Sequence, residues 1–452
     1  MPSATPRSLA IRPREAQESH PPRKLKHAPS TSYPTESYLN AAVQHPSSAT
    51  RAPERPTKRP MPTPNKTIAV VNSSGRQAAS FIRVASAVGF KVRAQLRNLD
   101  GIVAQEISEL PNVKVIVGDL YIKTASGSPN PSNTKAGGVN HDLIKTLFEG
   151  AELAFINTTF YGDEIAIGKA LADAAKRVGI AHYIYSSMPD YSAYNPAWPA
   201  IPLWSSKYVV EQYIRSIHLP ATFLYTGIYN NNFTSLPYPL FCMELQNDGS
   251  FTWTAPFHPD VKLPWLDAEH DVGAAVLQLI KDGVKQWGGQ TIALAYEMLS
   301  PREVCRAFSR GVGRPVRYRH SSTIAVTVKI PTGYRDQLVA LEKLYAIDQG
   351  DGSKQPPYFG TARYEASCPG EALALWEGYR GIEEYAREVF PLEEAANGLT
   401  WMNENTDTDG ELVNGDEDEY NEDDDSSDDG LTMGGGVGGE ATPARKEEGW
   451  LA

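Results

Sequence analysis

VVNSSGRQAAS, residues 70–80, has the spacing of a dinucleotide-binding turn with two of its three glycines replaced. Where such a turn reads Gly-x-x-Gly-x-x-Gly, this chain carries Asn72, Gly75 and Ala78. Upstream, TIAVV (67–71) is a short apolar run; downstream, residues 76–88 repeat at helical spacing and stop at Gly89. The turn therefore joins a strand to a helix, the context that gives such a motif meaning. Gly75 lets the backbone approach a pyrophosphate at a helix N-terminus, where unpaired N–H groups and the helix dipole favour anions. Asn72 suits the first position because Asn tolerates left-handed backbone better than most residues. Ala78 is the smallest replacement for the third glycine, which close helix packing requires.

Short β-rich runs then alternate with helical ones. KVRAQLR (91–97), VKVIVGD (113–119), ELAFINTT (152–159) and HYIYSSM (182–188) read as strands, and the regular pattern runs up to TFLYTGIYNNN (222–232). Helices are predicted over 101–109, 141–150 and 164–178. This alternation predicts βαβ units and a parallel sheet, and LAFIN, apolar on both faces, suits a sheet covered by helices. Ligands on such sheets lie beyond the carboxyl ends of strands. VNSSGR, Asn157-Thr158-Thr159 and the SSM run with Ser186 and Ser187 all fall there. Residues 121–140, rich in Ser, Pro, Gly and Asn, are predicted to be an inserted loop. After residue 232 the pattern is irregular and rich in Pro and aromatics (SLPYPLF, FTWTAPF, LPWLD). The predicted fold class is α/β: a Rossmann doubly wound parallel sheet at 66–235. A smaller α+β domain at 236–402 completes a cleft and returns some elements to the Rossmann core.

The two ends differ from this body. Residues 1–65 are crowded with Pro, Ser and Thr and hold ten Lys/Arg against four Glu. So few apolar side chains predict a disordered head. Residues 403–452 carry seventeen acids against two basic residues, which predicts an extended, solvated tail. Of the formal net charge of −11, the head contributes +6 and the tail −15, leaving the body nearly balanced at −2. Such a body has no basic field that would bind nucleic acid unaided. Cys242, Cys305 and Cys368 lie far apart without C-x-x-C spacing, which opposes a zinc site or disulfide framework and suits a reducing compartment. No apolar run approaches the roughly 18 residues of a membrane span, and no signal-peptide core is present. A soluble intracellular protein is expected.

Cofactor choice is read from the second strand. An NAD-only site places an acid about 20 residues past the turn, on the ribose hydroxyls. Here RAQLRNLD supplies Gln95 and Arg97, and Arg76 follows Gly75. These guanidinium groups either hold a 2′-phosphate or are solvated charges, and both NAD and NADP are expected to bind.

Short-chain dehydrogenases use Tyr-x-x-x-Lys, a pair stacked on one helix face, whose lysine prepares the tyrosine to move a proton. IPLWSSKYVVEQY (201–213) keeps Lys207 but has Leu203 four residues earlier, with no proton to transfer. Trp204 cannot replace the phenol; Tyr208 and Tyr213 follow the lysine, and Tyr191 and Tyr194 belong to an upstream loop. No catalytic residue is assigned, and Lys207 either holds the nicotinamide ribose or is a helix-surface charge. Asp267, Glu269, His270 and Asp271 read as the acid-rich first turn of a helix rather than a metal site, since no second ligand cluster accompanies them. A single helix predicted over 372–396 puts Leu375, Tyr379, Ile382, Tyr385 and Val389 on one stripe. Its opposite face holds Glu383, Glu384, Glu388, Glu393 and Glu394, either solvated or open to a basic partner.

KTIAVVNSSGRQAAS, AFINTT, GDEIAIGKALADAAKR, HYIYSSMPD, TGIYNNNFTSLPYPLF, PWLDAEHDVG and EEYAREVFP closely resemble the NmrA-like family, over about residues 66–402. The resemblance implies a short-chain dehydrogenase fold acting as a dinucleotide-binding regulator. It further implies a negative regulator of nitrogen metabolism that binds a GATA-type zinc-finger activator in the nucleus and cytoplasm. The related isoflavone-reductase-like enzymes keep the lysine without the tyrosine, so a lysine-dependent NADPH reductase using Lys207 is the alternative. With the turn read as above, the candidate cofactor residues are Asn72, Ser74, Gly75, Arg76, Gln77, Arg97, Asn157, Thr158, Thr159, Ser186 and Lys207. The candidate partner residues are Glu383, Glu384 and Glu388.

Overall fold

Seven strands pair in parallel: β1 (Thr67–Val70), β2 (Lys91–Leu96), β3 (Val113–Val117), β4 (Leu153–Ile156), β5 (His182–Ser187), β6 (Ala221–Thr226) and β7 (Thr291–Leu294). Their order is β3-β2-β1-β4-β5-β6-β7, the doubly wound Rossmann arrangement. The structure is a computed structural model describing residues 64–122, 138–160, 162–347 and 354–403, all within one unit of residues 60–452. The head up to residue 63, residues 123–137 of the insertion and the tail from 404 lie outside the described residues. Strand order reverses between β1 and β4, where Val70 and Phe155 are in register. Strands β4, β5 and β6 are buried at every position, as a sheet covered on both faces demands.

The helices obey their local signals. Gly89 (φ 100°) and Gly179 (φ 76°) end the helices Arg76–Val88 and Glu164–Val178 in left-handed backbone, a conformation that costs glycine little. Asp163 caps the second of these, its side chain accepting from Ala166 N at 2.9 Å. The inserted loop has an ordered base that its composition did not announce: Tyr121–Ile122 pairs antiparallel with Gly138–Val139.

Beyond β6 the chain leaves the sheet and comes back. The helix Ala268–Asp282 packs on Arg76–Val88, and β7 then pairs with β6. The approach is close because Gly273 has no side chain: a Cβ there would stand 2.5 Å from the Ser80 carbonyl oxygen. Ser80 Oγ instead accepts from Gly273 N at 3.0 Å. Two three-stranded sheets complete the remainder, Met243–Leu245/Phe251–Ala255/Val316–His320 and Ile228–Tyr229/Leu263–Leu266/Glu297–Leu299. The aromatics that made this region look irregular are its core. Phe233 stacks on Trp265 (centroids 5.6 Å) and meets Trp253 (5.1 Å) and Phe308 (5.2 Å) edge-on, arrangements that the ring quadrupole favours.

One predicted element is corrected. The helix expected over 372–396 is three separate helices, Gly370–Leu375, Ile382–Glu388 and Phe390–Ala396. Gly381 takes an extended N-cap conformation, and Pro391 sits in the first turn of the third helix, where its missing N–H is tolerated. Leu375, Ile382 and Tyr385 are nevertheless buried.

Candidate functional site: a dinucleotide cleft at the strand-order reversal

The turn after β1 is held by its neighbour strand. Asn72 adopts left-handed backbone (φ 57°), the conformation expected at a first-glycine position. Ser73 N donates to Gln95 O (3.1 Å) and Asn72 N to Gln95 Oε1 (3.2 Å), while Gln95 Nε2 donates to Gly118 O (2.9 Å). Gln95, buried at 3% exposure, thus ties the turn to the end of β3. An acid at this position could accept from the turn but could not donate to Gly118. The sequence had suggested Gln95 only for what it is not; its role as a strut needed the Gly118 contact.

Gly75 opens the helix in extended backbone, with no side-chain cap and no acid in the first turn. The first-turn N–H groups therefore meet no carboxylate of their own helix, and the positive dipole end is available to an external anion. A Cβ on Gly75 would fall 2.6 Å from Asn72 Nδ2 and 3.2 Å from Asn72 O. Glycine here keeps the turn tight and its backbone bare.

A cavity of about 390 Å³ lies against this turn, walled by Asn72, Ser74 and Arg97 on one side and Asn157, Thr158 and Thr159 on the other. These six predicted residues are brought together. Asn157 is 1% exposed and its Oδ1 has no hydrogen-bond partner among the described residues, an orphaned acceptor at the cavity wall that a ligand donor would satisfy. The hairpin residue Tyr121, at the base of the insertion, also lines it.

The other predicted residues stand behind the wall. Arg76, 8% exposed, does not line the cavity; it is ion-paired to Glu269 and, at 3.2 Å, to Glu393. Gln77 donates to the Tyr229 hydroxyl, and its own Oε1 has no hydrogen-bond partner among the described residues. Ser186 is buried in β5. Lys207 is neither a surface charge nor part of the cavity lining. It is 2% exposed, donates to the Thr158 carbonyl, and pairs with Glu164 Oε1 at 2.8 Å. Glu164 also accepts from Thr158 Oγ1 (2.8 Å) and from Ser206 Oγ. Glu164 was missed as a site residue, although DEIAIGK showed it in a helix first turn.

The position of the dehydrogenase tyrosine is packed over. Leu203 is buried and its N–H donates to Gln337 Oε1 at 3.0 Å. Trp204 stacks on Tyr191 (5.8 Å) and meets Tyr358 edge-on (5.2 Å). Tyr358 N is held in turn by Glu365 Oε1 at 2.6 Å. Burial pushes the Glu365 carboxyl up to about 7. An acid raised on folding stabilises below its unfolded value, and this contribution fades as pH rises through the folded one. Glu365→Gln is expected to flatten the decline in melting temperature between about pH 4.5 and 7; an identical slope in wild type and variant would remove this assignment.

The acidic cluster after the strand Leu263–Leu266 is a helix cap. Asp267 accepts from Glu269 N and His270 N, both at 3.1 Å, and Arg380 bridges Asp267 Oδ2 and Asp271 Oδ1. The hydrogen bond to Asp271 raises the His270 pKa. Among the described residues no group of three or more His, Cys, Asp or Glu is arranged to hold a metal. The cysteines are free, and burial pushes the Cys305 and Cys368 thiols up to about 12.

Of the acids expected to face a partner, Glu384 and Glu388 are exposed and Glu383 is partly taken by Arg310 at 2.7 Å. Glu393 and Glu394 are corrected: both turn inward. Glu393 binds Arg76 and the Tyr385 hydroxyl (2.6 Å), and Glu394, 1% exposed, accepts from Thr234, Ser235 and Trp401. The helix break at Val389 rotates them away from the Glu383 face.

A doubly wound parallel sheet, a bare helix N-terminus at the strand-order reversal and a polar cavity beside it define a Rossmann-type nucleotide-binding protein. The NmrA-like family model matches residues 64–386, and the chain belongs to that family. It is 66% identical over 363 residues to the nitrogen metabolite repression protein nmr of Neurospora crassa, covering 78% of this chain and 74% of that one. It is 52% identical over 370 residues to the nitrogen metabolite repression protein nmrA of Emericella nidulans (75% and 98%). Crystal structures of NmrA, a negative transcriptional regulator, in complex with NAD and with NADP each superpose with a TM-score of 0.67 at 55% identity, covering 75% of this chain and 99% of that one.

Proposed function

We propose that this chain is an NAD(P)-binding negative regulator of transcription in nitrogen metabolism. It acts in the nucleus and cytoplasm by binding a GATA-type zinc-finger activator, without catalytic turnover. The observation that carries the reading is the contrast between two parts of one fold. The phosphate-side features are intact: bare Gly75, left-handed Asn72 and an uncapped helix end. The catalytic side is closed, with Leu203 packed and Lys207 committed to Glu164 and Thr158. Similarity to two nitrogen metabolite repression proteins and to NmrA bound to NAD and NADP supports it.

In this reading Asn72, Ser74, Arg97, Asn157, Thr158 and Thr159 hold the dinucleotide, and the first-turn N–H groups after Gly75 take its pyrophosphate. The cofactor, when bound, brings hydride-transfer capacity, but Leu203 leaves no phenol to move a proton. Lys207 fixes the Thr158 carbonyl at the cavity wall and so positions the site rather than reacting.

Zinc fingers that bind DNA are basic because they neutralise phosphates, so a protein contacting one should offer acids. Glu384 and Glu388 are the exposed ordered pair, and the tail supplies long-range attraction. Charge reversal at Glu384 and Glu388 should raise the dissociation rate from a GATA-type finger, whereas deleting residues 403–452 should slow association and flatten its salt dependence. Surface plasmon resonance separates the two rates. Loss of specific binding on tail deletion, with no effect of the helix reversals, would invert this assignment.

A further inference from the structure

We propose that Tyr121 is the base-stacking residue of the cavity, holding the adenine ring of a bound dinucleotide; the proposal rests on the dinucleotide reading given above. The cavity runs from the turn after β1 to the segment after β3, and its wall changes chemistry along the way. At the turn and the end of β4 it is polar, with Asn72, Ser74 and Thr159. After β3 it is apolar and aromatic, with Leu120, Tyr121 and Ile122. Ser186 and Lys207, on the side where a dehydrogenase handles the nicotinamide, do not line it, whereas Arg97 at the end of β2 does. The end of β2 is where such folds meet the adenosine ribose, so the cavity is the adenosine half of the site. Its apolar, aromatic wall suits the flat face of a base rather than a sugar or a phosphate.

Tyr121 is held in place by ordered backbone. It begins the short strand Tyr121–Ile122, which pairs antiparallel with Gly138–Val139, and it stands opposite Val139. Just past that pairing, Asn140 N donates to Leu120 O (2.8 Å) and Asn140 Nδ2 donates to Asp119 O (3.0 Å). The Asn140 side chain also caps the helix His141–Phe148, accepting from Leu143 N at 3.2 Å. The segment carrying the ring is thus tied to a helix end, and a ring already in position costs little ordering when a ligand binds.

The loop after β4 supplies the backing. Gly162 has left-handed backbone (φ 71°), and a Cβ there would stand 2.6 Å from Tyr121 Cβ and 2.8 Å from Tyr121 Cδ1. The absent side chain lets the Gly162 backbone lie against the root of the ring. Both residues line the cavity, so their contact joins its β3 and β4 sides. Tyr121 remains half-buried, which leaves ring surface for a ligand to cover.

Calorimetry of the full chain with NAD and with ADP-ribose, which keeps adenosine and pyrophosphate but lacks nicotinamide, tests the assignment. Tyr121→Leu fills the place beside Gly162 without an aromatic face. It is expected to raise both dissociation constants by the same factor, about tenfold. Tyr121→Phe keeps the face and should bind both ligands as wild type does. Gly162→Ala leaves the tyrosine but drives a methyl group into its ring, and should weaken both ligands as well. Circular dichroism establishes that each variant is folded. Equal affinities in wild type and Tyr121→Leu, or a loss confined to NAD, would overturn the proposal while leaving the dinucleotide site in place. So would a loss in Tyr121→Phe as large as in Tyr121→Leu, since the hydroxyl rather than the ring would then be at work. A wild-type chain that binds neither ligand would overturn the dinucleotide reading and this proposal with it.

Discussion

Gly75→Val is expected to abolish NAD and NADP binding while leaving the chain folded. The backbone at Gly75 (φ −69°, ψ 151°) is open to any residue, so valine introduces no backbone strain. The nearest obstruction to its Cβ, at 2.6 Å, is the end of the Asn72 side chain, which can rotate away. What valine cannot avoid is placing two methyl groups at the helix opening, where a pyrophosphate must reach backbone N–H groups. Circular dichroism and thermal melting should match wild type, and calorimetry should show no heat with either dinucleotide. A folded variant with unchanged affinity would move the site away from this turn.

Lys207→Ala is expected to lower stability by about 3–5 kcal/mol, because removing one partner of a buried ion pair strands the other charge. The pair is well buried, with side chains 3% and 5% exposed. Among the described residues Glu164 would keep its two hydroxyl donors, Thr158 and Ser206. The Thr158 carbonyl, freed at the cavity wall, should also weaken dinucleotide binding. Urea unfolding reads the first effect and calorimetry the second. A reductase using Lys207 for proton transfer predicts a different outcome: an NADPH oxidation rate in wild type that collapses in Lys207→Ala. Finding that rate would establish the enzyme reading.

The legible and illegible parts of this molecule divide along sequence separation. Strand β1, the turn and the helix Arg76–Val88 could be read because apolar periodicity, Asn72 and Gly75 act within a few residues of each other. The same holds for the acid-rich cap at Asp267 and for the missing phenol at Leu203. Arg76 was misjudged as an open choice between phosphate and solvent because its partners, Glu269 and Glu393, lie 193 and 317 residues away. Lys207 was similarly undecided, since Glu164 is 43 residues earlier. Strand β7 passed unnoticed because four residues, TIAL, carry too little periodicity to stand out from the irregular stretch around them. The 372–396 helix failed for a different reason. Its apolar spacing continues through Gly378 and Gly381, and Leu375, Ile382 and Tyr385 are indeed all buried, but on two helices rather than one. Periodicity reported which residues face the core and not that the backbone breaks between them.

Isothermal titration of the full chain with NAD and with NADP tests the central claim, that this Rossmann cleft is a working dinucleotide site on a regulator, most directly. Saturable heat from both, at one site per chain, is the predicted result. The cavity offers Arg97 and no carboxylate from the end of β2 to distinguish them. The absence of heat with either dinucleotide, from protein shown to be folded, would contradict it.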